Sequence, residues 1–218
     1  MKKLLDLFCG AGGAAMGYHQ AGFEVVGVDI KPQPRYPFEF HQADAFEYLS
    51  AYGCEYDVIH ASPPCQRYSR ETSPARRNDH LDLIASIRAA LLANARPFVL
   101  ENVRDAQRLL REPLLLCGSM FGLPIHRHRL FEVHPDLPFT LLPPCGVDGP
   151  TIYITGTPRP RNGGRRRDPS ASVKRQALGT DWMTIAEMDE AIPPAYTKFI
   201  GLQLLAACQK VNDEAWKI

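Results

Sequence analysis

The sequence predicts an α/β fold built on a parallel sheet, with a small loop-rich insert late in the chain. Three observations carry this. Short apolar runs alternate with helical patterns through the first half. One run ends in a glycine-rich turn and the next two in acids. After Val133 the regular texture breaks into segments rich in Pro, Gly and Arg.

Each element follows in order. Lys3 to Phe8 reads as a strand running into Cys9-Gly10-Ala11-Gly12-Gly13, and Ala14 to Gln20 as a helix. Glu24 to Asp29 is strand-like, and Glu39 to Asp44 is a weaker strand. Tyr56 to Ala61 is a strand entering Ser62-Pro63-Pro64-Cys65. Leu81, Ile84, Ile87 and Leu91 have helical spacing, predicting a helix to Asn94. Pro97 to Glu101 is strand-like, and Leu114–Cys117 and Arg129–Val133 read as later hairpin-type strands. Residues 134–176 read as loops, with helical pattern returning over Thr184–Met188 and Tyr196–Val211. The expected division is a first domain over 1–133, a small loop-rich insert over 134–180, and C-terminal helices over 181–218 that return to the first domain.

Composition excludes several classes. The chain has 218 residues, 45% hydrophobic and 22% charged, with 25 basic against 24 acidic residues, so disorder is not its dominant state. No apolar run approaches the roughly 18 residues of a membrane span. Asp6 interrupts the leader pattern a signal peptide needs. Six cysteines without tight spacing do not make a secreted disulfide framework, so an intracellular, reducing location is expected. The near-neutral total hides a basic block. Arg159, Arg161, Arg165, Arg166, Arg167, Lys174 and Arg175 stand against Asp168 alone, which suggests a local polyanion contact.

Four constellations carry chemistry. The Asp6-Leu7-Phe8-Cys9-Gly10-Ala11-Gly12-Gly13 turn lets a ligand approach the backbone, and Asp29 and Asp44 at later strand ends can accept from ribose hydroxyls or an adenine amine. No Gly-Lys-Ser/Thr follows, which argues against a phosphate-binding P-loop. In Ser62-Pro63-Pro64-Cys65-Gln66 the prolines stiffen a loop and aim a thiol, a nucleophile if its pKa is lowered. Glu101-Asn102-Val103 sets a carboxylate at a strand end, able to hydrogen-bond a ring nitrogen. Arg127 and Arg129 alternate and so share one face. Each also has a bland reading: a tight turn, a buried cysteine, a surface acid, a solvated strand. His126 and His128 with Cys117 lack Cys-x-x-Cys or His-x-x-x-His spacing, so no metal is expected.

In this order the four resemble the DNA (cytosine-5) methyltransferase family. The resemblance covers residues 3–133, and Asp181-Trp182-Met183-Thr184 with Ala191-Ile192-Pro193-Pro194-Ala195-Tyr196 is similar to short phage-encoded members. It implies a Rossmann-like S-adenosylmethionine-dependent methyltransferase sheet and a flipped-out cytosine. It also implies a cofactor site of Phe8, Cys9, Gly10, Gly12, Gly13, Asp29, Ile30, Asp44, Ala45 and Pro63. Phe8 would pack on the adenine, Asp29 hold the ribose and Asp44 the adenine amine. Cys65 would be the nucleophile, Glu101 would engage cytosine N3, and Arg127 and Arg129 would support the base and Glu101. Gln66 and the basic block would contact nucleic acid. Ile125 stands where the family often has Gln, and Ala191–Ala195 stands where it has a Gly-Asn pair.

The expected function is transfer of a methyl group from S-adenosylmethionine to C5 of cytosine in double-stranded DNA, by a monomer. The rivals are an RNA cytosine-5 methyltransferase of the same fold and a catalytically inactive nucleic-acid-binding module.

Overall fold

The structure is a computed structural model, and it describes residues 1–69, 72–146, 152, 154 and 169–210, side chains of 208–210 excepted. Its centre is a seven-stranded sheet in the order β3-β2-β1-β4-β5-β7-β6. The strands are β1 (Lys3–Leu7), β2 (Glu24–Asp29), β3 (Glu39–Gln42), β4 (Val58–Ala61), β5 (Phe98–Val103), β6 (Leu114–Leu116) and β7 (Arg129–His134). The first five strands are mutually parallel, and β7 runs antiparallel to both β5 and β6.

Alternation along the strands divides the sheet's apolar residues between two layers. Leu4, Val25, Val58 and Val99 meet Tyr18 of α1 (Gly13–Ala21) and Tyr196, Ile200 and Leu204 of α7 (Pro194–Lys210). Leu5, Leu7, Val26, Val28, Ile59, Ala61 and Leu100 meet Leu49 of α2 (Ala45–Tyr52) and Ile84, Ile87 and Leu91 of α4 (Ile84–Asn94). Between these helices in sequence lies one short turn of helix, α3 (Pro74–Arg77). A third cluster joins α5 (Ala171–Leu178) and α6 (Ile185–Glu190) to the glycine turn through Ala177, Leu178, Met183, Met188, Ile125, Ile154 and Ala11.

Buried polar groups fix this packing. Arg88 of α4 donates to both carboxylate oxygens of Glu132 on β7, at 2.7 and 2.6 Å, and to the Leu109 carbonyl. The Arg111 N–H adds a further bond to Glu132, at 2.8 Å. With both partners buried and their donors and acceptors used, the pair locks β7 to the α4 layer.

The structure adds elements beyond the sequence reading. Helix α2 was not expected; Asp44 caps it, its Oδ1 accepting from the Phe46 and Glu47 N–H groups. The loop reading of 134–176 ends at Ser170, whose hydroxyl caps α5. Arg159, Arg161, Arg165, Arg166 and Arg167 lie outside the described residues. Among the described residues no helix is long and apolar enough to cross a membrane.

Helices α1 and α7 approach closely because Gly17 has no side chain. A Cβ there would collide with Thr197 Oγ1 and the Pro194 carbonyl, and Thr197 Oγ1 donates to the Ala14 carbonyl at 2.8 Å. Gly→Ala in a helix normally stabilises by up to about 1 kcal/mol. Here the sign reverses: Gly17→Ala should lower the urea-unfolding free energy by about 1–3 kcal/mol through overpacking. A stabilised variant would show that the two helices have slack between them.

Candidate active site

Parallel strands deliver their carboxyl ends to one edge of a sheet, where open α/β folds bind ligands. The loops after β1, β2, β4 and β5 leave at that edge, and antiparallel β7 begins there. Five segments distant in sequence therefore converge.

The glycine turn comes first. Phe8 adopts a left-handed backbone (φ 59°), as do Gly10 (φ 49°) and Gly12 (φ 85°). A left-handed Phe costs on the order of 1 kcal/mol, and such strain concentrates at working sites. The Gly10 N–H donates to Asp29 Oδ2 at 3.0 Å, and the Lys31 N–H to Oδ1 at 2.9 Å. Space above Gly10 is open, with nothing within 4 Å of where a Cβ would stand. Gly12 and Gly13 differ. Their missing Cβ atoms make room for Tyr36 and Pro37 and for the Ile192 carbonyl, so close packing requires glycine at both positions. Phe8 lies edge-on to Phe46, 6.4 Å between ring centres. Cys9, Ala45 and Pro63 are buried and Ile30 is largely exposed.

An adenosine cofactor fits this edge on its donor set. Asp29 lies beside an open backbone surface, and Asp44 uses one oxygen for capping, its Oδ2 without a hydrogen bond recorded among the described residues. Asp6 is fully buried beneath the turn, and among the described residues neither oxygen has a hydrogen-bond partner of good geometry; burial first, and Asp29 next, push its carboxyl well up, with Tyr36 opposing.

The thiol loop follows β4. Ser62 N–H bonds the Leu7 carbonyl, and the Tyr68 and Ser69 N–H groups both return to the Cys65 carbonyl. Asn102 secures the loop from β5: its Nδ2 donates to the Pro63 carbonyl at 3.0 Å while its Oδ1 accepts the Val103 N–H. Asn102 is thus a positioning residue the sequence reading left without a role. Its only signal was a position beside Glu101.

Cys65 is half-buried, and its pKa is raised, not lowered. Burial is the largest cause and Glu101 adds to it, while Arg129 and Arg127 oppose. The condition set from the sequence is therefore not met in the free protein. Glu101 is buried with its carboxyl pushed up to about 7, by burial against the pull of Arg129 and Arg127. Arg129 Nε stands 3.1 Å from Glu101 Oε1, an ion pair off the hydrogen-bond line, so that oxygen keeps bonding capacity. The β5–β7 register explains the contact: Glu101 is paired with Phe131 and Val103 with Arg129, which puts Arg129 diagonally across from Glu101 on one face.

Arg127 is placed differently. Its Nη1 donates to the Ile154 carbonyl at 2.8 Å and its Nη2 to the Asp189 carbonyl at 2.7 Å, with no partner for Nε among the described residues. Burial lowers its pKa to about 9. It acts on Glu101 and Cys65 through charge, not through hydrogen bonds. Gln66 follows Cys65 in sequence, and its buried Oε1 has no hydrogen-bond partner among the described residues.

The basic block divides. Lys174 is fully buried, its Nζ held by Asp189 Oδ1 at 2.7 Å, so the expectation that it grips phosphate is corrected. Its helix turns it inward, where an ammonium needs a carboxylate partner. Arg175 Nε donates to the Met183 carbonyl at 3.0 Å.

With the geometry described, comparison with known proteins is direct. The sequence model of the family described as C-5 cytosine-specific DNA methylase matches residues 2–114, just over half of the chain. The chain belongs to this family. The Type II methyltransferase M.HgiGI of Herpetosiphon aurantiacus is 31% identical over 122 residues, 48% of this chain and 93% of that protein. M.HindV of Haemophilus influenzae, also a Type II methyltransferase, is 32% identical over 124 residues, 49% of this chain but 39% of that protein. The chain thus spans well under half the length of the second relative. The structure of the Entamoeba histolytica methyltransferase EhMeth superposes with a TM-score of 0.60 over 98% of this chain and 99% of that one, at 11% identity, a likeness of fold. This family member accordingly has an α/β methyltransferase fold.

The raised Glu101 carboxyl has a measurable consequence. Its folded-state pKa, about 7, lies above the ordinary 4.5. Its contribution to stability is therefore complete below the ordinary value and is lost as pH rises through about 7. Glu101→Gln should remove that component, so the variant should lose less stability than the parent across this interval in urea titrations. Identical pH slopes would mean that Glu101 titrates as an ordinary carboxyl.

Proposed function

We propose that this chain transfers a methyl group to C5 of cytosine in DNA, through a covalent adduct of Cys65, with S-adenosylmethionine as donor. One observation carries the reading: a loop cysteine, a carboxyl poised near neutrality and two arginines meet at the ligand edge of a methyltransferase sheet. The bound donor supplies an electrophilic sulfonium methyl. Phe8, Gly10, Asp29 and Asp44 are the residues proposed to hold it, by ring contact, backbone approach and carboxylate acceptance.

The remaining chemistry belongs to the chain's own side chains. Cytosine C5 is a poor nucleophile while the ring is aromatic. Cys65 Sγ adds to C6, its S–H bond breaking as the C–S bond forms and the proton passing to water. Protonated Glu101 donates at N3 and stabilises the charge that develops there. A neutral Glu101 also ceases to repel the thiolate, so one protonation serves both partners. Arg129 keeps Glu101 in place, and Arg127 adds positive potential. After methylation, loss of the C5 proton and departure of Cys65 restore the ring. The base must leave the duplex stack to reach this edge. We assign Arg159, Arg161, Arg165, Arg166 and Arg167 to phosphate contacts on charge alone, and the segment 134–180 to target recognition.

The test is transfer of labelled methyl from S-adenosylmethionine to mixed-sequence DNA or total RNA, followed by nucleoside identification. Label should appear in 5-methyldeoxycytidine and vanish with Cys65→Ala. A 5-fluorocytosine-containing DNA should trap a covalent complex, because the C5 proton that normally leaves is replaced. Label in 5-methylcytidine from RNA, or no adduct on a demonstrated binding site, would overturn the reading. Replacing Arg165, Arg166 and Arg167 with Ala should weaken DNA binding and flatten its salt dependence; an unchanged salt slope would remove them from the phosphate contact.

A further inference from the structure

On the approach to β7, the side chains between Arg127 and Arg129 and just before them form a second cluster. The ligand atoms of Cys117, His126, His128 and Cys145 all lie within 4.8 Å of one another. His126 Nε2 is 3.2 Å and His128 Nε2 3.3 Å from Cys145 Sγ. The two imidazoles stand nearly edge to face, 4.4 Å between centres. We propose that these four residues bind a zinc ion, closing a structural site that ties the Pro-rich start of the insert to the β6–β7 hairpin.

The sheet register creates the cluster. Leu116 pairs with Arg129, so the next positions outward bring Cys117 alongside His128. Alternation then puts His126 on the same side as His128, with Arg127 and Arg129 on the other. Cys145 arrives from the Pro-rich segment, near residues far from it in sequence.

Hydrogen bonding alone is a poor account of this convergence. It needs the two imidazoles in opposite states at Nε2, one accepting the single thiol proton and the other donating to a sulfur that is a weak acceptor. A tetrahedral zinc, with Zn–S near 2.3 Å and Zn–N near 2.1 Å, places ligand nitrogen and sulfur roughly 3.6 Å apart. The observed separations of 3.2 and 3.3 Å are close to that. Two thiolates and two neutral imidazoles around a divalent cation leave no net charge, which suits a site beside two arginines.

The surroundings of the sulfurs agree. The Met120 N–H bonds the Cys117 carbonyl at 3.1 Å and the Cys117 N–H meets Met120 Sδ at 3.3 Å, which fixes Cys117 at the start of a short helical turn. Ser119 Oγ stands 3.5 Å from Cys117 Sγ and 3.8 Å from Cys145 Sγ. Such donors stabilise thiolates and orient metal ligands. Two sulfurs and two nitrogens select zinc over the oxygen-seeking magnesium and calcium. With all four positions filled by protein, no place remains for substrate water, so the site is structural. The proposal reverses the sequence expectation of no metal. That expectation rested on linear spacing, and here a hairpin and a long loop assemble the ligands.

The test uses the full chain, purified reduced and without a polyhistidine tag. Elemental analysis should find stoichiometric zinc that survives dialysis. After removal by chelator, cobalt(II) should restore a tetrahedral visible spectrum with a thiolate-to-cobalt charge-transfer band. Cys145→Ser alters an exposed loop residue, and it should stay folded by circular dichroism. It should lose the metal and the band, and become susceptible to proteolysis within 135–146. His126→Ala should do the same. A folded, reduced parent that takes up neither zinc nor cobalt would overturn the proposal. So would stoichiometric zinc retained by both variants, or a Cys117–Cys145 disulfide in the freshly purified protein.

Discussion

The candidate site depends on the antiparallel pairing of β7 with β5. Every other strand at the ligand edge arrives by parallel crossover and contributes a loop. Among the described residues β7 alone starts at that edge, and it meets β5 there over that strand's last residues, Glu101 to Val103. A slip of one residue would turn Arg129 to the opposite face and remove it from Glu101. The Arg88–Glu132 pair guards against such a slip. Glu132 stands opposite Leu100, facing the α4 layer, where its two oxygens receive Arg88 and the Arg111 N–H. Shifted by one position, that carboxylate would enter the α1–α7 layer without a partner, a cost of several kcal/mol. One buried ion pair, remote from the chemistry, thus holds the register that the chemistry needs.

Burial then sets the protonation states. Desolvation raises the Cys65 thiol and the Glu101 carboxyl and lowers the Arg127 guanidinium, each toward its neutral form. At neutral pH the resting site therefore holds a thiol, a carboxyl near its midpoint and an Arg127 that, at about 9, keeps its positive charge. This arrangement is reactive only in combination. A thiolate next to an ionised Glu101 is opposed on two counts, by burial and by repulsion. A thiolate next to a protonated Glu101 is opposed by burial alone and favoured by two arginines. The protonation state suited to N3 is the one that lets Cys65 react.

The sequence made the contiguous parts of this site legible. Gly10 with Asp29, and the Pro63-Pro64-Cys65 loop, read correctly as features of strand ends because each lies where an apolar run stops. Strand β2 matches its expected bounds, Glu24 to Asp29. What escaped depends on contacts across the chain. Asn102 is recognisable as a loop anchor only once β4 and β5 are neighbours. Lys174 sits in a block of positive charge and reads as solvent-facing, yet helix α5 turns it toward Asp189. Helix α2 is short, and its clearest signal, Asp44 as cap, was read as a ligand residue. The raised Cys65 pKa is likewise invisible in sequence, because it is a sum over burial and three charged neighbours.

Arg127 shows how the late segments and the active site depend on one another. Its guanidinium is held by two backbone carbonyls, one from Ile154 and one from Asp189 at the end of α6. Its own carbonyl accepts the Tyr196 hydroxyl of α7 at 2.6 Å. Asp189 in turn holds Lys174 through its carboxylate. Farther along the same edge, Trp182 donates to the Ala11 carbonyl at 2.7 Å, and Ile192 closes on Gly13. The segment after the insert therefore completes both the glycine turn and the arginine. The choice of partners matters for chemistry. A carboxylate on Arg127 would fix its position and cancel its charge together. Carbonyl oxygens fix the position and leave the charge, which remains available to favour the thiolate of Cys65.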